Sequence, residues 1–171
     1  MISPELLRRY PFFSGMSHDQ IVALAKVAGE EAVEAGHYFF HEGEQLTCLY
    51  LILEGAVAVV LEIPADGAHQ TVANQYNRQL QTTDVVISAI GPGEVFGVSA
   101  LIPPPVATAS AKATTPCRVV AFNGAELLQL FEKDCQFGYQ LTQRIAHVFR
   151  SRLHDMRIES LAFVAPQPAQ S

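Results

Sequence analysis

The chain has 171 residues, 49% hydrophobic and 16% charged, and its 11 Lys and Arg against 17 Asp and Glu give a formal charge of −6. That length suffices for one packed core with an appendage, the apolar content excludes a disordered protein, and the negative charge disfavours binding to nucleic-acid phosphates. No apolar run approaches the ~18 residues of a bilayer span. The first residues, Met1 to Arg9, lack a signal core, so the chain is expected to be cytoplasmic. Cys48, Cys117 and Cys135 are scattered and odd in number, which fits reduced thiols rather than a disulfide framework.

Ser3, Pro4 and Glu5 read as a cap, a first-turn proline and a first-turn acid, so a short helix opens the chain. Pro11 to Gly15 breaks it. Ser17 and Gln20 have capping-box spacing ahead of Ile21, Leu24, Ala25 and Ala28 at helical period, with Gly29 and Gly36 marking the exit. Short β-rich runs follow: Glu31–Val33, His37–Phe40, Cys48–Glu54, Ala56–Ile63, Asp84–Ile90 and Arg118–Phe122. Most are separated by glycine turns, a pattern of antiparallel sandwiches and rolls. Pro64–Thr83 is polar, with Asn74, Gln75, Asn77, Gln79 and Gln81, and reads as a long surface loop. Helical period returns in Ala125–Phe131 and in a long helix over Cys135–Leu161. Leu141, Ile145, Phe149, Leu153, Met156, Ser160 and Phe163 form a stripe there, to be buried on the domain or on a twin helix. The predicted division is 1–135 for the β domain with its N-terminal helices, 136–163 for a dimerisation helix, and 164–171 for a disordered tail.

Several strings taken together resemble the cyclic-nucleotide-binding domain of bacterial regulators of the catabolite-activator type. Pro11-Phe12-Phe13 ahead of Ile21 and Leu24-Ala25 is similar to that family's entry helix. Gly36 with Glu42-Gly43-Glu44 is similar to its first hairpin, and the run from Leu49 through Gly55 to Val59 to its next strand pair. Gly91-Pro92-Gly93-Glu94-Val95-Phe96-Gly97 resembles the lead-in to its phosphate-binding cassette. The resemblance covers roughly residues 5–160. It implies an α+β fold: an antiparallel β-roll of eight strands, of the jelly-roll or cupin-like kind, with N-terminal helices and a long C-terminal helix.

The cassette departs from the family pattern. Members carry Phe-Gly-Glu-Leu-Ala-Leu, a loop, then an Arg that opens the next strand. The Glu accepts a hydrogen bond from a ribose hydroxyl, the Arg pairs with the cyclic phosphate, and helix N–H groups help hold that phosphate. Here the string is Phe96-Gly97-Val98-Ser99-Ala100-Leu101, with Val98 in the Glu position. Ala107 to Lys112 aligns with the later strand, which places Pro105 in the Arg position and leaves neither charge.

The resemblance thus implies a sensor or regulatory module, bacterial in type, with a degenerate pocket for a cyclic nucleotide or other small-molecule effector. Cyclic AMP is expected to bind weakly or not at all. Ligand contacts are expected from Phe96, Gly97, Val98, Ser99, Ala100, Leu101, Pro105, Val106, Ala107 and Thr108, mainly through backbone N–H groups, Ser99 and Thr108, with the N–H groups around Ser99 and Ala100 loosely holding a phosphate. A ligand would tighten Val95–Pro105 and reorient the last helix. A homodimer is expected through Leu141, Ile145, Phe149, Leu153 and Met156, with a protein partner reading the signal and no direct contact with nucleic acid or membrane. Relatives of the fold sense haem and iron–sulfur clusters, but three isolated cysteines fall short of a cluster and no motif selects a haem ligand. No cofactor, metal site or catalytic residue is predicted. Two other classes stay open: a ligand-free dimeric scaffold, and a cupin-like metalloenzyme in which His37, His41 and Glu42 would have to converge.

Overall fold

A computed structural model describes residues 2–64 and 82–164. Most of the expected Pro64–Thr83 loop and the tail from 165 to 171 lie outside the described residues. Helix α1 (Pro4–Arg8), a 3-10 turn (Pro11–Phe13) and α2 (His18–Lys26) lead into strands β1 (Ala28–Val33), β2 (Tyr38–Phe40), β3 (Cys48–Glu54), β4 (Val57–Pro64), β5 (Thr82–Ile90), β6 (Val95–Phe96), β7 (Ser110–Ala113) and β8 (Cys117–Asn123). Helices α3 (Gly124–Lys133) and α4 (Cys135–Val164) close the chain.

The capping box forms: Ser17 Oγ accepts from the Gln20 N–H at 3.2 Å, and Gln20 Oε1 accepts from the Ser17 N–H at 3.0 Å. Ser3 sits at its expected place but makes no side-chain cap bond, so α1 begins on the fixed φ of Pro4 and the favourable charge of Glu5. Gly29 does not end the helix. It lies within β1 opposite Ala121, because strand pairing with β8 starts at Ala28.

The strands form two antiparallel four-stranded sheets, ordered β1-β8-β3-β6 and β2-β7-β4-β5. In the first, β3 and β8 are covered on both faces, which explains their apolar runs, whereas edge strand β1 is mostly exposed. Leu49, Leu51 and Leu53 point from β3 into a core shared with the helices, alongside Val120, Phe122, Leu7, Ile21 and Leu24. Ile52 and Val119 point the other way, between the sheets, where they meet Val57, Ile90, Phe96 and Ala111. Each such large side chain, fully buried, stabilises the fold by roughly 1.5–3 kcal/mol relative to exposure.

Helix α4 divides the expected stripe. Leu141 and Ile145, expected at a dimer interface, are 0% and 6% exposed and belong to the protomer's own core with Phe137. They pack on the first sheet and α3 and so offer nothing to a twin. Phe149, Leu153 and Met156, further along, are 43%, 49% and 50% exposed. The boundary expected at 135–136 therefore cuts through one packed unit.

Candidate functional site

The turn after β6 depends on Gly97. Its φ is +74°, and a Cβ there would lie 2.7 Å from the Cys48 carbonyl oxygen and 3.2 Å from the Tyr50 ring. Only glycine takes that conformation at that distance without strain. From Gly97 the chain makes a single 3-10 turn, Val98–Leu101. The Ala100 N–H is spent on the Gly97 carbonyl at 3.0 Å, so one of the two amides expected to meet a phosphate is already engaged.

Between this turn, the second sheet and α4 lies a cavity of about 530 Å³, within the usual range for small-molecule sites. Phe96 forms its floor, stacked on Tyr50 at 4.9 Å and edge-on to Phe39 at 4.9 Å. Phe40, Leu46, Val59 and Ala111 line the roll side; Ile87 to Ala89 add part of β5. Gly97 to Ser99 and Ala107 to Ala109 line the cassette side, and Phe149, Arg152, Leu153, Asp155 and Met156 the helix side.

Of the ten cassette residues, Phe96, Gly97, Val98, Ser99, Ala107 and Thr108 reach the cavity wall; Ala100, Leu101, Pro105 and Val106 do not. Ala100 and Leu101 belong to the turn but are buried away from the cavity wall. Pro105 is held away because the next chain segment is pinned to the turn at 43–46. Its carbonyl accepts from the Leu46 N–H at 2.7 Å, and Ala107 exchanges bonds with Gly43 and Glu44 at 2.9 and 2.8 Å. Pro105 itself is therefore not part of the cavity wall. Residues 107–109 do line it, and they are Ala, Thr and Ala, so the cassette side carries no charge. Val98 is 6% exposed and also belongs to the main core, which leaves little room for a carboxylate there.

Charge enters from elsewhere. Glu94, Arg152 and Asp155 line both this cavity and a neighbouring cleft of about 360 Å³. Arg152 donates to the Val95 carbonyl, and burial pushes its pKa below the usual guanidinium value, with the Glu94 charge opposing that shift. Nothing in the helical spacing of Arg152 marks it; its partner is 57 residues away.

The outer face of the second sheet carries a separate polar network. Glu62 accepts from the Ser110 hydroxyl at 2.5 Å and lies 2.6 Å from His41 Nδ1; these bonds hold its carboxyl below the usual range. Asp84 accepts from Lys112 Nζ at 2.7 Å and Tyr38 OH at 2.6 Å and is likewise lowered. His41 stacks on Tyr38 at 4.3 Å, whereas His37 stands edge-on to Phe39. His37, His41 and Glu42 do not converge, and among the described residues no group of three or more His, Cys, Asp or Glu is placed to hold a metal ion.

A family model of the cyclic nucleotide-binding domain matches residues 30–134. The chain belongs to that family. This is a family of binding domains rather than an enzyme class. A solved Geobacter metallireducens protein named for cyclic nucleotide binding is 34% identical with a TM-score of 0.71; the match covers 90% of this chain and 100% of that one. A CRP-like cAMP-activated global transcriptional regulator of Mycobacterium tuberculosis is 27% identical over 146 residues, 85% of this chain and 58% of the regulator. A Rhodopseudomonas palustris protein named for a potassium channel is 23% identical over 143 residues, 84% of this chain and 30% of that protein. The chain thus spans well under two thirds of the length of each of these two curated relatives. No described helix is long and apolar enough to cross a membrane.

Proposed function

We propose that this domain is a small-molecule sensor whose β-roll cavity reports through α4, and that its affinity for cyclic AMP is weak or nil. The observation that carries this reading is shared construction. Phe149, Leu153 and Met156 of α4 wall the same cavity as Phe96 and Ser99, and Arg152 is bonded to Val95 one residue before the floor. An occupant touches strand, cassette and helix together, so it favours one helix position through differential contacts. The segment from Val95 to Pro105 tightens, α4 shifts, and a second copy or protein partner reads the shift. The lack of any charged side chain at Val98 or over 107–109 supports weak cyclic AMP binding.

Amide exchange of α4 with and without ligand tests the sensor reading. Protection that rises across 149–158 when the cavity is filled is the expected result; a filled cavity with unchanged exchange there contradicts it. A second reading is a ligand-free dimeric scaffold, favoured by the half-exposed Phe149, Leu153, Met156 and Ile158 on one helix. Native mass spectrometry of protein purified without additives separates the two. A co-purified small molecule supports the sensor, whereas a dimer with an empty cavity that accepts no ligand supports the scaffold.

A further inference from the structure

Arg152 is the one Lys or Arg on the described wall of the cavity. A guanidinium offers five N–H donors, yet its described bonding is a single donation to the Val95 carbonyl. It forms no ion pair with any carboxylate among the described residues; the five ion pairs there use Arg8, His41, Lys112 and Arg118. Burial disfavours its charged form. The Glu94 charge offsets part of that, but a half-buried guanidinium with one described hydrogen bond keeps donors to spare, and an anion arriving in the cavity would engage them. The two wall carboxylates are placed differently. Glu94 and Asp155 are exposed, where solvent screens their charge, and Glu94 Oε2 accepts from the Gly91 N–H at 2.8 Å. The remaining wall is mostly aliphatic and aromatic.

We propose that the cavity takes an organic monoanion with an apolar body, its carboxylate forked by Arg152 and its hydrocarbon against Val59, Phe96, Leu153 and Met156. This ligand class rests on the sensor reading, and it moves the charged anchor from the cassette to the helix. The absence of charge at Val98 and over 107–109 then becomes part of the specificity. A cassette without charges does not reward a ribose hydroxyl or a cyclic phosphate, and it leaves the apolar body undisturbed.

Titration calorimetry on the full chain with octanoate, 1-octanol, octylamine and cyclic AMP tests it, because the first three share one tail and differ in head charge. Octanoate should bind at least about tenfold more tightly than 1-octanol or octylamine, the size of one charge-assisted contact. In Arg152→Gln that preference should vanish while 1-octanol still binds, which shows the cavity intact; Arg152→Lys should keep part of it. If Arg152→Gln fails to fold, wild-type selectivity and Arg152→Lys decide. Equal binding of the three heads, preference for octylamine, no octanoate binding, or full octanoate affinity in Arg152→Gln would each overturn the ligand class. Amide exchange in α4 separates this from the sensor reading. Arg152-dependent octanoate binding with a silent helix sinks the sensor and keeps the ligand class. A helix that answers cyclic AMP while octanoate fails to bind does the reverse.

Discussion

The Arg152 guanidinium donates a hydrogen bond to the Val95 carbonyl, fastening the outer half of α4 to the strand that carries the cavity floor. This bond ties α4 to the roll beyond Ile145, so it holds helix and cavity in register. Arg152→Ala should therefore raise amide exchange over 149–158 and leave residues 137–145, held by the core, unchanged. Uniform change along the whole helix would show that the bond does not act locally.

Gly97→Ala puts a Cβ 2.7 Å from the Cys48 carbonyl oxygen, at a φ that L residues rarely adopt. Backbone strain and forced displacement together should cost about 2–4 kcal/mol in urea unfolding. A loss below ~1 kcal/mol would mean that the turn relaxes without cost.

The helix stripe separates into two roles that substitutions should distinguish. Ile145→Ala removes buried volume from the core and should cost about 2–4 kcal/mol. Phe149→Glu with Leu153→Glu changes half-exposed positions; it should leave the protomer folded and convert a dimer to monomer in sedimentation. An unchanged dimer mass would remove this face as the interface.

The outer network predicts a pH dependence. Glu62 and Asp84 have folded pKa values below their usual 4.5 and 3.8, through bonds from Ser110 and His41 and from Lys112 and Tyr38. A lowered folded pKa contributes stability that is present above the ordinary carboxylate value and is lost as pH falls through the folded one. Urea midpoints should thus decline below about pH 4.5, and Glu62→Gln with Asp84→Asn should flatten that decline. Identical acid limbs for variant and wild type would contradict it.

The sequence showed most plainly those features whose cause is local. Ser17 and Gln20 cap a helix through bonds three residues apart, and the run from Leu49 to Leu53 is apolar because β3 is covered on both faces. Gly29 misled because a glycine tolerated in a paired strand looks like one that ends a helix. The stripe from Leu141 to Met156 has one period, but period does not reveal which partner buries each turn. Pro105 lines up with a charged family position, yet it lies off the cavity wall, with its carbonyl bonded to the Leu46 N–H. Arg152 acquires its character only from burial and from Val95, which no local pattern encodes.

The most direct measurement is calorimetry of wild-type protein with cyclic AMP. The ribose carboxylate and the phosphate guanidinium are charge-assisted contacts worth roughly 1.5–3 kcal/mol each. Without either on the cassette side, a site of about 1 μM weakens by about 3–6 kcal/mol, to between ~0.1 mM and ~20 mM. The account predicts a Kd weaker than about 100 μM or no detectable heat. A Kd of about 1 μM or tighter would contradict it, since Val98 and the uncharged 107–109 segment would then be supplying an affinity that their chemistry does not contain.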